Sequence, residues 1–327
     1  MPYKHNESRR HKFSKPKYRV TNWPEYNAAL QRRGDLTIWF AEEAQAAWLA
    51  EKTGKRGGQP VYSDLAIATA LTIRLVFKQA LRQTAGLLRS LTGLLKLDDL
   101  PVPDYSTLSR RGQRLKVSLK VKRLANQPMH ILVDSTGLKI YGEGEWLLEK
   151  HRAKTRRRWR KLHIALDAET HQMVAVELTT DEVGDPTVVP DLLDGIEGEI
   201  GSFTADGAYD GESTYQAIAD RQPDGHQIDV VIPPRSTAVL SENAATQPTT
   251  RDQHIQVIAD QGRMGWQRAS GYNRRSLVEN GFYRYKNIIG RCLRARNLSN
   301  QVTEAKRGCA ILNCMTSLGM PVSQKIA

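Results

Sequence analysis

Three acidic residues in this chain stand where their type and setting allow chemistry. Asp134 follows the apolar run MHILV and precedes Ser135, Thr136 and Gly137; Asp206 follows IGSFTA and precedes Gly207 and Ala208. Each reads as a carboxylate closing a strand beside small residues, where a ligand can approach the backbone closely. Glu279 lies in a segment read as one long helix, from Tyr272 to Ile289, that is otherwise basic. At about 100° per residue, Tyr272, Arg275, Glu279 and Lys286 cluster within roughly 60° of one another. A single glutamate among cations serves equally as an ion-pair partner; three acids together point further. Hard divalent cations take oxygen ligands. Two such ions about 3.5–4 Å apart assist an in-line displacement at phosphorus. Three carboxylates suffice to hold that pair, with Arg275 and Lys286 left to grip phosphates.

Placing these residues together requires a sheet and helices to carry them. From Gln127 onward the apolar runs are short and strand-like: His130–Val133, Leu162–Leu166 and Met173–Leu178. The last two read as a hairpin across the polar turn Asp167 to His171. A helix over Thr187 to Gly195, a strand ending at Asp206, the helix GESTYQAIADR and the strand QIDVVIP follow, then helices over Tyr272 to Ile289 and Val302 to Ser317. That order describes a mixed α/β domain whose sheet is flanked by helices. Residues 234–250 read as a polar, irregular loop.

The N-terminal third is different. Residues 24–52 read as helical, and Gly54 to Pro60 as a loop. Helices follow from Ser63, where Ser63 or Asp64 caps, and over Leu81 to Leu95. A third, short helix begins near Asp104 after a turn marked by Pro101 and Pro103. Its outward positions carry Arg110, Arg111 and Arg114. Three helices ending in a basic one resemble a helix-turn-helix module, and a plain helical bundle reads the same way.

The 327 residues carry 48 Lys and Arg against 35 Asp and Glu, a net charge of +13. Basic residues concentrate in four blocks, 1–34, 101–130, 150–161 and 271–296, and the third, KHRAKTRRRWRK, holds eight Lys or Arg and no acid. Four blocks beside different motifs suit a long surface that tracks phosphates, with steep salt dependence of binding. The charge-free apolar stretch Leu65 to Ile73 has nine residues, against about 20 for a membrane span. Met1 to Arg19 lacks the apolar core of a secretory signal. Cys292, Cys309 and Cys314 fit neither a disulfide framework nor paired zinc ligands, so a reducing cytoplasm is the expected home. Asp167 reads as a turn residue and Asp210 as a cap for the helix after it. Asp181 and Asp185 read as surface, and His163 as a sheet histidine rather than a base. Trp146 and Trp159 read as core or half-buried, with stacking on an unpaired base as the alternative. Cys309 shares a packing stripe with Val302, Ala305 and Leu312.

Four segments together resemble a known family. DSTGLKIYGEGEW (Asp134 to Trp146), RRRWRKLHIALD (Arg156 to Asp167), TADGAYDG (Thr204 to Gly211) and YNRRSLVENGFYRYK (Tyr272 to Lys286) are similar to the DDE transposases of bacterial insertion sequences. The last segment fits the Y-x2-R-x3-E-x6-K signature, and the nearest resemblance is to the insertion-sequence-five family. The resemblance covers essentially the whole chain. It implies an RNase H-like core with Asp134, Asp206 and Glu279 as catalytic acids binding two magnesium or manganese ions. It further implies that Tyr272, Arg275 and Lys286 contact the element's end. Arg156, Arg157, Arg158, Arg160 and Lys161 are further candidate DNA contacts, with Arg110, Arg111 and Arg114 of the helical region.

The expected organisation is a basic flexible arm over 1–20, a helical DNA-binding region over 21–126, and an RNase H-like catalytic domain over 127–327. Glu279 lies 73 residues beyond Asp206, which predicts an insertion near 233–262. The expected activity is cleavage of the ends of an insertion sequence and joining of the freed 3′-OH to target DNA. The expected partners are the element's terminal inverted repeats, target DNA and a second copy of the chain, with no membrane, at the bacterial nucleoid. An RNase H-like nuclease or resolvase would cleave without joining, and a DNA-binding regulator would need a damaged acid triad. Strand transfer from pre-cut ends separates the first of these, and metal-dependent nicking the second.

Overall fold

A computed structural model describes residues 17–52, 54, 56–97, 99–122, 124, 127–140, 159–222 and 227–326. Arg156, Arg157, Arg158 and Trp146 lie outside them. The C-terminal part is built on β2 (Met129–Ile140), β3 (Trp159–Asp167), β4 (Met173–Thr180), β5 (Ile200–Thr204) and β6 (Asp229–Val231). These lie side by side in the order β4-β3-β2-β5-β6, and a short β7 (Cys292–Leu293) pairs with the far end of β2. The β2–β3 and β3–β4 pairs are antiparallel, whereas β2–β5, β5–β6 and β2–β7 are parallel.

The expectation that Asp134 ends its strand needs correction. β2 runs on to Ile140, because β3 stays paired with it from Ile131↔Asp167 to Lys139↔Trp159. On the other flank β5 pairs only as far as Leu132↔Thr204, and β7 takes over at Lys139. Asp134 therefore sits where one side of a central strand loses its neighbour, which opens a notch in the middle of the sheet.

Alternation along β2 sends successive side chains to opposite faces. Leu132 and Leu138 join Leu162 and Ile164 under α10 (Ser276–Arg284) and α11 (Leu298–Leu318), with Val278, Phe282, Cys309 and Leu312. Ile131 and Val133 join Phe203, Leu192 and Ile218 on the other face, beneath α7 (Val189–Asp194) and α8 (Glu212–Asp220). Asp134 and Thr136 share the parity of the first set, Ser135 that of the second.

The helical region comprises α1 (Trp23–Arg32), α2 (Leu36–Trp39), α3 (Glu42–Ala46), α4 (Asp64–Val76), α5 (Leu81–Leu94) and α6 (Tyr105–Gly112). Ser63 caps α4 by accepting from the Ala66 amide at 3.0 Å, and Asp104 caps α6 through Ser106 at 2.8 Å. Ile67, Ile73, Leu88 and Leu108 of these helices belong to the same buried cluster as Leu132 and Ile164 of the sheet, so they share one core with the sheet. Residues 24–52 form three short helices rather than a continuous one. The chain turns at Gly34, and Asp35 caps a new start by accepting from Thr37 at 3.0 Å.

Two further expectations change. Lys17–Val20 at the end of the basic arm form β1 and pair with β8 (Ser323–Ile326). Tyr272–Ile289 is not one helix but a 3-10 turn over Tyr272–Arg275, then α10, then a π-helical turn over Tyr285–Ile289. Gly271, at φ 68°, and Gly290, at φ 147°, bracket this segment with conformations that favour glycine. The expected insertion carries α9 (Thr250–Ala269), a helix that the sequence reading did not place.

Candidate active site

Asp134 stands at the notch in β2, half-buried. Its Oδ1 accepts from the Ser135 amide at 2.8 Å and its Oδ2 from Arg275 Nη1 at 2.7 Å. The same guanidinium donates through Nη2 to Glu279 Oε1 at 2.7 Å, one helical turn away. Arg275 thus bridges two of the three sequence-selected acids. Asp206 occupies the loop just past β5, where its Oδ1 caps a 3-10 turn by accepting from the Ala208 amide at 2.9 Å. Its charge is felt by both Asp134 and Arg275. Gly207 lets that loop pass the Pro233 carbonyl, which a Cβ would meet at 3.1 Å.

Burial pushes the Asp134 carboxyl above its ordinary value. The Ser135 amide and Arg275 oppose that shift, and the negative charge of Asp206 adds to it. Burial alone would lower Arg275, but Tyr272 and the carboxylates of Asp134, Glu279 and Asp206 outweigh it and hold the guanidinium firmly charged. Tyr272 is raised, chiefly by burial, and its ring lies 5.9 Å from the Arg275 guanidinium. Lys286, lowered by burial and by Arg291, donates to Thr136 Oγ1 at 2.6 Å.

α10 delivers Glu279 because it packs hard on the sheet. A Cβ on Gly281 would meet Leu166 Cδ1 at 2.9 Å, so any larger residue here would have to displace the Leu166 side chain or the helix. The face that the sequence assigned to Tyr272, Arg275, Glu279 and Lys286 is assembled from three kinds of helical turn, yet all four side chains reach the β2 notch or its immediate partners.

Asp185, read from the sequence as surface, is part of the site's support. It accepts from Ser135 Oγ at 3.0 Å and from Lys161 Nζ at 3.0 Å, while Lys161 also donates to the Val183 carbonyl at 2.8 Å. The three consecutive residues Asp134, Ser135 and Thr136 are each gripped by a partner from a different element. Only the Asp-Pro pair at 185–186, which opens a helical turn, marked this position in the sequence. Asp210, expected to cap α8, instead pairs with Arg251 of the insertion at 2.8 Å and accepts from the Arg235 amide at 2.9 Å.

The remaining candidates divide by setting. Arg160 donates to Gln301 of α11 at 2.9 Å, and Lys161 is held by Asp185 as described. Arg111 ties α6 to α4 through Asp64 at 2.6 Å and the Tyr62 carbonyl at 2.9 Å. Arg110 and Arg114 are exposed. Trp159 is half-buried against Gly137, and His163 is fully buried in the sheet.

All the donors near the notch are oxygens, the type that suits a hard divalent cation. As they stand, no three His, Cys, Asp or Glu side chains among the described residues close into a group that holds an ion. The Arg275 guanidinium stands between two of the carboxylates.

Residues 125–314 match a family model described as a transposase DDE domain, and residues 31–143 match a second model of the same description. The chain belongs to the transposase DDE domain family, a family that uses divalent metal ions. Its sheet flanked by helices is consistent with an RNase H-like core. Among solved structures, a chain of the Drosophila P element transposase strand transfer complex is similar, with 13% identity and a TM-score of 0.32 over 62% of this chain and 48% of that one. The present chain thus corresponds to about half the length of that relative. No helix among the described residues is long and apolar enough to cross a membrane.

Proposed function

We propose that this protein is a DNA transposase that cuts the ends of an insertion sequence and joins them to target DNA. The observation that carries this reading is the single guanidinium of Arg275 bonded to both Asp134 and Glu279 at 2.7 Å, in a chain of this family, with the charge of Asp206 felt at Asp134 and Arg275. Asp134, Asp206 and Glu279 would hold the divalent ions, two of magnesium or manganese, which activate an attacking oxygen and stabilise charge at phosphorus.

The protein's own groups have the following roles. Arg275 and Lys286 bind the non-bridging oxygens of the scissile phosphodiester, and Tyr272 orients Arg275. Water attacks phosphorus, the bond to the 3′ oxygen breaks, and a 3′-OH and a 5′-phosphate result. That hydroxyl then attacks a target phosphodiester, forming a new P–O bond and releasing a target 3′-OH. The helical region, with Arg110 and Arg114 outward, binds the duplex along its phosphates, and two or more copies bring both element ends together.

The test uses a supercoiled plasmid carrying this gene with its flanking DNA, in Mn²⁺. Wild-type protein nicks it. Asp134→Asn binds it with similar affinity and does not nick it. Nicking retained in Asp134→Asn refutes the assignment.

A further inference from the structure

We infer that the insertion is a positioning device for Tyr272 and Arg275, with Trp266 in contact with Tyr272 and His254 anchoring Trp266 to the sheet. The inference rests on the cleavage site proposed above.

The insertion folds as a helical hairpin. Twelve residues of straight helix would separate His254 from Trp266 by about 18 Å. Their rings lie 5.4 Å apart, edge to face, because the chain folds back at Gly262, whose φ of 71° and ψ of 164° are non-helical. Three anchors hold the hairpin down: Arg251 on Asp210 at 2.8 Å, Arg263 on the Pro234 carbonyl at 3.0 Å, and His254 on the Val230 carbonyl of β6 at 2.7 Å. Because a carbonyl only accepts, His254 Nε2 carries the proton there. Nδ1 is then free to accept from the Trp266 indole N–H, 2.9 Å away. One tautomer serves both bonds.

Trp266 is 1% exposed and its ring lies 5.2 Å from that of Tyr272. Tyr272 opens a 3-10 turn with no side-chain cap of its own, directly after the left-handed Gly271. It packs against Trp266 and against the Arg275 guanidinium that it faces. Contacts therefore run without a gap from Val230, through His254, Trp266 and Tyr272, to the Arg275 guanidinium on Asp134. Val230 is paired with Phe203, three residues before Asp206. The hairpin thus references the Tyr272–Arg275 turn to the strand that carries the second acid.

The experiment measures Mn²⁺-dependent plasmid nicking by the full chain, separating the rate at saturation from the half-saturating concentration. His254→Leu deletes both bonds, and His254→Gln keeps an acceptor for the indole and a donor for Val230. The expected result is a saturating rate lower by on the order of tenfold in His254→Leu, and near wild type in His254→Gln, with half-saturation shifted less than about twofold. Arg275→Ala combined with His254→Leu is no slower than Arg275→Ala alone, because His254 acts through Arg275. Trp266→Phe, which keeps an aromatic ring while removing the indole N–H together with the five-membered ring that carries it, follows His254→Leu and serves if that variant does not fold. Equal loss in His254→Gln and His254→Leu, an effect on half-saturation alone, or multiplicative losses with Arg275→Ala would overturn the inference. If nicking is lost in Asp134→Asn yet untouched in His254→Leu and Trp266→Phe, the positioning role fails and the proposed function stands. Nicking that survives in Asp134→Asn removes both.

Discussion

Replacing Arg275 by alanine tests how the acid site is held together in the absence of DNA. The guanidinium makes two ion pairs of unequal worth. Its pair with Asp134 joins side chains that are 19% and 17% exposed, whereas Glu279 is 52% exposed. The Glu279 arm is thus close to a surface pair and contributes less than about 1 kcal/mol. Loss of the Asp134 arm leaves a largely desolvated carboxylate with only the Ser135 amide, and costs about 2 kcal/mol. Asp134→Asn removes the charge that needs compensation, so Arg275→Ala in that background costs roughly 1 kcal/mol or less. Urea denaturation of the four proteins of this cycle at neutral pH, without metal or DNA, gives the coupling. The pH dependence has a definite sign. Burial already raises the Asp134 carboxyl and Arg275 opposes that, so losing Arg275 raises it further. A folded state with a raised carboxyl takes up a proton more readily than the unfolded chain. The penalty of Arg275→Ala relative to wild type therefore shrinks as pH falls from neutral towards about 4. Additive losses, or a penalty indifferent to acid, would show that Asp134 does not depend on Arg275.

On the proposed assignment the ions sit among the carboxylates that Arg275 bridges, so Arg275→Ala in DNA-free protein is expected to take up Mn²⁺ several-fold more tightly by calorimetry; unchanged affinity would mean that the two do not compete. His163 is lowered from 6.5 to about 4, first by burial, so the folded state keeps it neutral. The stability it contributes is complete above pH 6.5 and declines as pH falls towards 4, by about 3 kcal/mol in total. His163→Gln should flatten that part of the acid limb in denaturation against pH, and an identical limb would contradict it. Gly281→Ala drives a Cβ to 2.9 Å from Leu166, which is expected to cost about 1–3 kcal/mol and to slow nicking by lifting Glu279. A variant of full stability and full rate would show that α10 has room to spare.

How much of this arrangement was legible in the sequence depends on the range of the interactions. The succession of strands along the chain from His130 to Val231 follows from local apolar periods and turn residues, whereas their order in the sheet does not. Asp134, Asp206 and Glu279 were recognisable because each breaks its surroundings, an acid beside small residues after an apolar run or an acid among cations, and Arg275 because its helical offset puts it on the face of Glu279. Asp185 was missed because its role lies wholly in distant partners, Ser135 and Lys161, that no local pattern announces. Asp210 was misassigned for the same reason, since its partner Arg251 lies in the insertion. The helix α9 did carry a local sign. Thr249 and Asp252, at cap and third positions, form a reciprocal capping box, overlooked within a polar stretch. The break of Tyr272–Ile289 into three kinds of turn was less visible, because an unbroken period of apolar residues does not reveal where hydrogen bonding tightens or loosens.

Alternation along β2 has an evolutionary consequence. Asp134 and Ser135 look to opposite sides of the sheet, one towards Arg275 and the other towards Asp185. Sliding the strand by a single position against β3 would exchange them and put a hydroxyl where the acid belongs. Within residues 129–133, conservative exchanges of one aliphatic side chain for another leave the chemistry in place, whereas gain or loss of one codon reverses it. Descendants of this gene should therefore drift freely in the identity of those residues and hardly at all in their number.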